Sequence, residues 1–320
     1  MTISLAYLMF GLGIVALWIG GEGVVRSIMT FAKAFRVEAF ILSLTLLAIA
    51  TSGPELFFNI FSSLRHQGSF GLGNILGANI TNFALIFAIA TLFVKVKKRD
   101  NEAIWAYPSL LAFSLFFFML GLDGTIDRIE GGLLVLLFVV WIFLALRGQF
   151  KKRLIEKIEM LLPQHRDPWQ LTLTAVLFVT SLFMLFGGAE FLVRGVTQLA
   201  QSWQVSGMLL AALLVSLGTT MPELATAAVA VFRKRYDIRS GTLFGSNIVN
   251  LSLIVGINAL IYPITFPVGS FVLLSILILA TSMFAAPIIF NFKSTARMWS
   301  IVLFSCYIIF ILYTTTQLTQ

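Results

Sequence analysis

Charge, cysteine and histidine are all scarce in this sequence of 320 residues. Only 11% of the residues are Asp, Glu, Lys or Arg, where a soluble globular domain carries about 25%. A single cysteine, Cys306, excludes an intramolecular disulfide and a thiolate metal site. Set in an apolar run, it reads as a small packing residue. The two histidines, His66 and His165, fall in predicted loops and form no His-x-x-His or His-Glu-x-x-His pattern, so the helical zinc motifs are missing. Neither a nucleophile with its base nor a His/Asp metal set is visible inside the apolar stretches, which argues against an intramembrane enzyme.

What is plentiful is apolar. Hydrophobic residues make up 59% of the chain, and runs of about 20 such residues cross a bilayer as helices. Ten runs can be read, at roughly 4–30, 38–63, 70–94, 103–121, 129–147, 170–199, 206–232, 240–262, 267–290 and 298–316. The predicted fold class is an all-α polytopic membrane protein. Of the basic residues, Arg65, Arg128 and Arg194 fall on one side of this layout, and every other Lys and Arg falls on the opposite side. The basic side is expected to be cytoplasmic, which leaves both termini outside the cytoplasm and places the chain in the cytoplasmic (inner) membrane. The net charge of +8 is then a topology signal and no sign of nucleic-acid binding. The first run has no basic start and is followed by Lys33 and Arg36, so it reads as an outward-starting first helix and not as a cleaved signal peptide.

The chain also repeats itself. Residues 48–56 read Ala-Ile-Ala-Thr-Ser-Gly-Pro-Glu-Leu and residues 216–224 read Ser-Leu-Gly-Thr-Thr-Met-Pro-Glu-Leu. Glu223 follows Glu55 by 168 residues (223 minus 55). The same shift pairs Gly20 with Gly188, Glu22 with Glu190, Arg26 with Arg194, Arg65 with Arg233, Gly77 with Gly245, Asn79 with Asn247 and Asn82 with Asn250, with no gap. Gene duplication accounts for this register. Five runs precede the basic stretch and five follow it, giving a first membrane repeat at 1–147, a cytoplasmic basic linker at 148–168 and a second repeat at 169–320. An odd number of spans per half turns the two repeats in opposite directions, the inverted-repeat plan of many secondary transporters. The later spans of each repeat, 103–147 and 267–316, carry little polar content and read as scaffold.

A carboxylate in a membrane helix is costly and marks a functional site by default. Thr51, Ser52 and Glu55 are spaced to share one helix face. Pro54 has no N–H to give the Ala50 carbonyl, and a freed carbonyl in hydrocarbon must find a partner or line a cavity. Thr219, Thr220 and Glu223, with Pro222 freeing Gly218, repeat the arrangement. Carboxylate, hydroxyl and carbonyl oxygens at one helix break suit a hard cation; calcium takes roughly six to eight oxygens. Gly73 and Gly77, like Gly241 and Gly245, permit close helix approach. One turn apart, Ala78 and Asn82 form one face and Ser246 and Asn250 its equivalent, with amide oxygens able to complete the shell. Asn79 and Asn247 either join that shell or bond across helices. Glu22 with Arg26 and Glu190 with Arg194 read as ion pairs within their helices, or as gating groups.

These paired segments, Thr-Ser/Thr-x-Pro-Glu-Leu and Gly-Ala/Ser-Asn-Ile-x-Asn, resemble the two alpha-repeats of the cation/calcium exchanger superfamily, and the likeness is strongest over 45–83 and 213–251. The resemblance implies ten helices in two inverted five-helix repeats and sodium-driven calcium antiport by alternating access, with the first and sixth helices sliding over the rest. It implies the ion ligands Ala48 (carbonyl), Thr51, Ser52, Glu55, Ala78, Asn82, Ser216 (carbonyl), Thr219, Thr220, Glu223, Ser246 and Asn250. Ca2+ and Na+ are cargo, and no cofactor is expected. The lipid bilayer is the expected partner, with no nucleic acid and no obligate protein partner. The chain departs from the family at Ala78, where serine is usual, and at Asn250, where several members have aspartate. Thr81-Asn82 and Val249-Asn250 stand where the proton-coupled branch has a Glu-His pair, which argues against that branch; Ca2+/H+ or other cation/proton exchange on the same fold is the alternative reading. A cation channel is the more distant one.

Overall fold

The computed structural model describes residues 3–34, 52–93, 101–153, 168–221, 223–224, 240–290 and 296–318. Within them the chain is almost wholly helical. Six helices are long and apolar enough to cross a membrane among the described residues, and their outer faces expose large apolar side chains such as Leu8, Leu12, Phe183, Met283 and Leu312. Water would penalise that surface, whereas acyl chains solvate it.

Helix α1 (Ile3–Ala34) lies antiparallel against α6 (Pro168–Trp203). Glycines set their distance. A Cβ on Gly13 would stand 2.7 Å from the Leu192 nitrogen, one on Gly20 2.8 Å from the Ser181 carbonyl, and one on Gly195 2.8 Å from the Phe10 nitrogen. The two backbones are therefore in contact, as small residues permit in membrane helices. This pair has its own hydrophobic cluster, built on Leu17, Leu185, Leu192 and Val196 and reaching Phe58, Leu210 and Val215.

The larger cluster joins the remaining helices. Helix α2 is Gly53–Leu64. Helix α3 begins at Gly68–Ile80, widens into a π segment at Thr81–Phe87 and returns to α geometry at Ala88–Phe93. Helices α4 (Asn101–Leu120) and α5 (Arg128–Arg153) follow. Helix α5 continues to Arg153, so the stretch read as a linker from residue 148 starts as helix; residues 154–167 lie outside the described set. Helix α7 is Gly207–Thr219 with a π segment at Ala211–Val215. Helix α8 runs Ser240–Val249, a π segment Asn250–Ile254, then Val255–Ile261. Helices α9 (Val268–Ile289) and α10 (Ala296–Leu318) close the chain.

Connections at one end of the molecule are tied together. Thr125–Ile126 pairs antiparallel with Ile264–Thr265. The His66 ring meets Tyr262 edge-on at 4.2 Å, and the Thr197 hydroxyl donates to Gln67 Oε1 at 2.8 Å. Arg65 reaches from the end of α2 to Glu190 of α6, with Nε 3.0 Å from Oε2. Arg128, whose Nη2 lies 3.5 Å from the Ile261 carbonyl, and Arg194, bonded to Glu190 at 2.6 Å, belong to the same end. The three basic residues that the sequence set apart from all the others thus gather together.

Candidate cation site

Helices α2, α3, α7 and α8 pack together and, with the residues at their ends, carry most of the buried polar residues among those described, including every buried Glu and Asn. Alpha-helical geometry fails at matching places on α2 and α7. Ser52, just before Gly53-Pro54, has φ −79° and ψ 14°; Thr220, just before Met221-Pro222, has φ −83° and ψ 5°. Both values fall near the bridge region. Proline explains the placing, since its ring disfavours helical geometry just upstream while fitting the first turn of a new helix. Pro54 accordingly sits in the first turn of α2, so the break comes ahead of the proline, at Ser52, and not around it. Helix α1 covers both breaks: a Cβ on Gly21 would stand 3.1 Å from Pro54 Cγ, and one on Gly218 2.7 Å from Ile14 Cδ1.

Helix α3 packs on α7 backbone to backbone, in the same direction. A Cβ on Gly73 would strike the Met208 carbonyl, and one on Gly77 the Ala212 carbonyl, with Ser216 Oγ 2.6 Å away. Close approach brings the polar groups of the two helices together. Thr219 Oγ1 donates to Asn74 Oδ1 at 3.1 Å and lies 3.3 Å from the Ser216 carbonyl, and its side chain also faces the Glu55 carboxyl. Thr220 Oγ1 donates to the Ser216 carbonyl at 2.8 Å. Across the site, Asn82 Nδ2 donates to Asn247 Oδ1 at 2.8 Å.

Of the residues singled out in the sequence, Ser52, Glu55, Ala78, Asn82, Ser216, Thr219, Thr220, Glu223, Ser246 and Asn250 are all buried, on these four helices or just beyond their ends. Thr51 and Ala48 lie outside the described residues. Several of the buried oxygens have no hydrogen-bond partner among the described residues: both carboxylate oxygens of Glu55, Ser52 Oγ, Asn82 Oδ1 and Asn250 Oδ1. A buried acceptor left unpaired costs about 1–3 kcal/mol, and more if charged. Unpaired oxygens on four side chains of these helices and their ends are of the chemical type that a hard cation takes as ligands, and coordination would offset that cost.

Three features were not foreseen. The π segments on α3 and α8 open at equivalent places, around Asn82 and at Asn250; wide turns of this kind recur at functional sites. Asn59 and Asn258, buried on α2 and α8, are hydrogen-bonded to each other. Only their polarity inside apolar runs could have flagged them. Glu190 binds Arg65 as well as its expected partner Arg194, whereas Glu22 and Arg26 form the expected pair at 2.7 Å.

The family model described as sodium/calcium exchanger protein matches residues 5–147 and 173–316. The chain belongs to this family. Among relatives of this exchanger-family chain, the sodium/calcium exchanger MaX1 of Methanosarcina acetivorans is 26% identical over 301 residues, covering 82% of this chain and 85% of its own length. The inner membrane protein YrbG of Escherichia coli is 27% identical over 267 residues, covering 82% of this chain and 81% of its own. The solved structure of the sodium-calcium exchanger NCX_Mj, soaked with Na+ and Sr2+, superposes with a TM-score of 0.65 at 23% identity, covering 97% of this chain and 99% of the other. That likeness establishes the fold. The chain is an integral membrane protein of a cation-antiporter family.

Proposed function

We propose that this family member exchanges Ca2+ for Na+ across the membrane by alternating access, at a site built from α2, α3, α7 and α8. One observation carries the reading: the Glu55 carboxylate, with oxygens of Ser52, Asn82 and Asn250, is buried and unpaired where the two interrupted helices meet. A divalent ion needs that carboxylate and the equivalent Glu223 to offset the loss of its hydration. Thr51, Thr219, Thr220, Ser246, Ala78 and the carbonyls of Ala48 and Ser216 complete the proposed lining.

In the same reading α1 to α5 and α6 to α10 are two inverted five-helix repeats. The antiparallel packing of α1 on α6 is what oppositely oriented copies require. The end carrying Arg65, Arg128 and Arg194 faces away from the cytoplasm. The name of MaX1 agrees with the proposed cargo.

The test is isotopic Ca2+ uptake into proteoliposomes loaded with Na+, K+ or choline, with and without a proton gradient. Exchange predicts uptake only into Na+-loaded vesicles. Uptake without any counter-ion identifies a channel, and uptake driven by the proton gradient alone identifies a Ca2+/H+ exchanger.

A further inference from the structure

A second buried polar group lies beside the proposed ligands and is absent from them. Asn59 sits one turn after Glu55 on α2 and donates from Nδ2 to the Glu55 carbonyl at 2.9 Å. A carbonyl can only accept, so this bond fixes the amide, and Asn59 Oδ1 must serve as acceptor. It accepts from Asn258 Nδ2 of α8 at 2.8 Å. Asn258 Oδ1 in turn accepts from the Ser63 hydroxyl, which also lies 3.0 Å from the Asn258 carbonyl. Asn258 Nδ2 has the Gly68 carbonyl at 3.5 Å as well. The chain of bonds therefore has one direction, and all three side chains are buried. Gly71 of α3 leaves the room: a Cβ there would stand 2.7 Å from Asn258 Nδ2.

The group is one-sided. A shift of 168 residues places Ala227 opposite Asn59, Val231 opposite Ser63 and Ala90 opposite Asn258, and it places Arg239 opposite Gly71. None of the three counterparts carries a side-chain hydrogen-bonding group, so this trio has no equivalent in the second repeat. Helix α8 also bears Asn250, so a clamp between α2 and α8 sets the distance between Glu55 and Asn250.

We propose that Asn59 and Asn258 are positioning residues for the Glu55 half of the cation site, holding the Glu55 turn of α2 against α8. The proposal rests on the reading of that site as the cation site. Groups that hold a ligand from behind change metal affinity about 10- to 100-fold when removed. An affinity effect of that size separates positioning from mere stability.

The experiment measures equilibrium Ca2+ binding to the purified full-length protein, together with its thermal unfolding. Asn59→Ala and Asn258→Ala should each raise the Ca2+ concentration for half-saturation about tenfold, with the double variant no worse than either single. Ser63→Ala, which removes only the last donor, should give a smaller rise in the same direction. Ser300→Ala removes another inter-helix contact, 2.8 Å to Thr91, and should alter stability without altering affinity. Should Asn258→Ala fail to fold, Asn59→Ala and Ser63→Ala decide the matter. Unchanged affinity in folded Asn59→Ala and Ser63→Ala overturns the clamp and leaves the site standing. A wild-type protein that binds no Ca2+ overturns the site reading itself, and the clamp with it.

Discussion

Asn82 Nδ2 of α3 donates a hydrogen bond to Asn247 Oδ1 of α8 across 2.8 Å, while Asn82 Oδ1 is buried without a partner among the described residues. The repeat equivalent would be a bond from Asn250 to Asn79. Asn79 instead turns its own Nδ2 to the Ile75 carbonyl at 3.0 Å. The two repeats thus share residues here but differ in contacts. Asn247→Ala should free the Asn82 amide to rotate and raise the half-saturating Ca2+ concentration several-fold. Asn79→Ala should have less effect, because it removes only a local back-bond. Titration of Ca2+ uptake for both variants checks the difference.

Ala78 and Ser246 are equivalent positions, and only Ser246 has a hydroxyl. Sodium, being monovalent, gains less from the carboxylates than calcium does, so neutral oxygens matter relatively more to it. Ala78→Ser should lower the Na+ concentration for half-maximal exchange. Ser246→Ala should raise it, with a smaller change for Ca2+. Sodium activation curves for the two variants measure this, and flat curves in both would remove position 78 from the lining.

Glycine at positions 73 and 77 is required by space. Any Cβ there meets a carbonyl of α7, and backbone cannot yield as a flexible side chain can. Overpacking costs about 1–3 kcal/mol, more where helices must part. Gly73→Ala and Gly77→Ala should lower the unfolding temperature by several degrees or prevent accumulation of folded protein. Gly187→Ala, with nothing within 4 Å of its Cβ position, should be neutral. Thermal unfolding in detergent separates these outcomes.

In the proposed site protons and cations would compete for the same carboxylate oxygens. Acidification neutralises the charge that attracts Ca2+, so the half-saturating Ca2+ concentration should rise as pH falls, while the maximal rate at saturating Ca2+ should fall less. Kinetics across a series of buffered pH values test the sign. An affinity independent of pH would mean that no carboxylate takes part.

Much of this was legible because duplication writes the signal twice. The acids at 55 and 223, the glycines and the two Asn-Ile-x-Asn segments needed only the 168-residue shift to stand out. The close approach at Gly73 and Gly77 followed from spacing alone. Asn59 and Asn258 were not legible, since they have no repeat counterpart and become partners only once α2 and α8 are side by side. The reach of Arg65 to Glu190 was hidden for the same reason: pairs four residues apart show in a sequence, but pairs between helices do not. The π segments depend on hydrogen-bond geometry that no residue pattern here announces.

The most direct test compares Na+-driven Ca2+ uptake into proteoliposomes for wild type, Glu55→Gln and Glu223→Gln. Glutamine keeps the shape and removes the charge, so both variants should fold and elute as the wild type does. Uptake should fall to the level of protein-free vesicles in each, because each loses one of the two acids proposed to face the ion. Uptake at the wild-type rate by either variant would contradict a shared cation site at the two helix breaks.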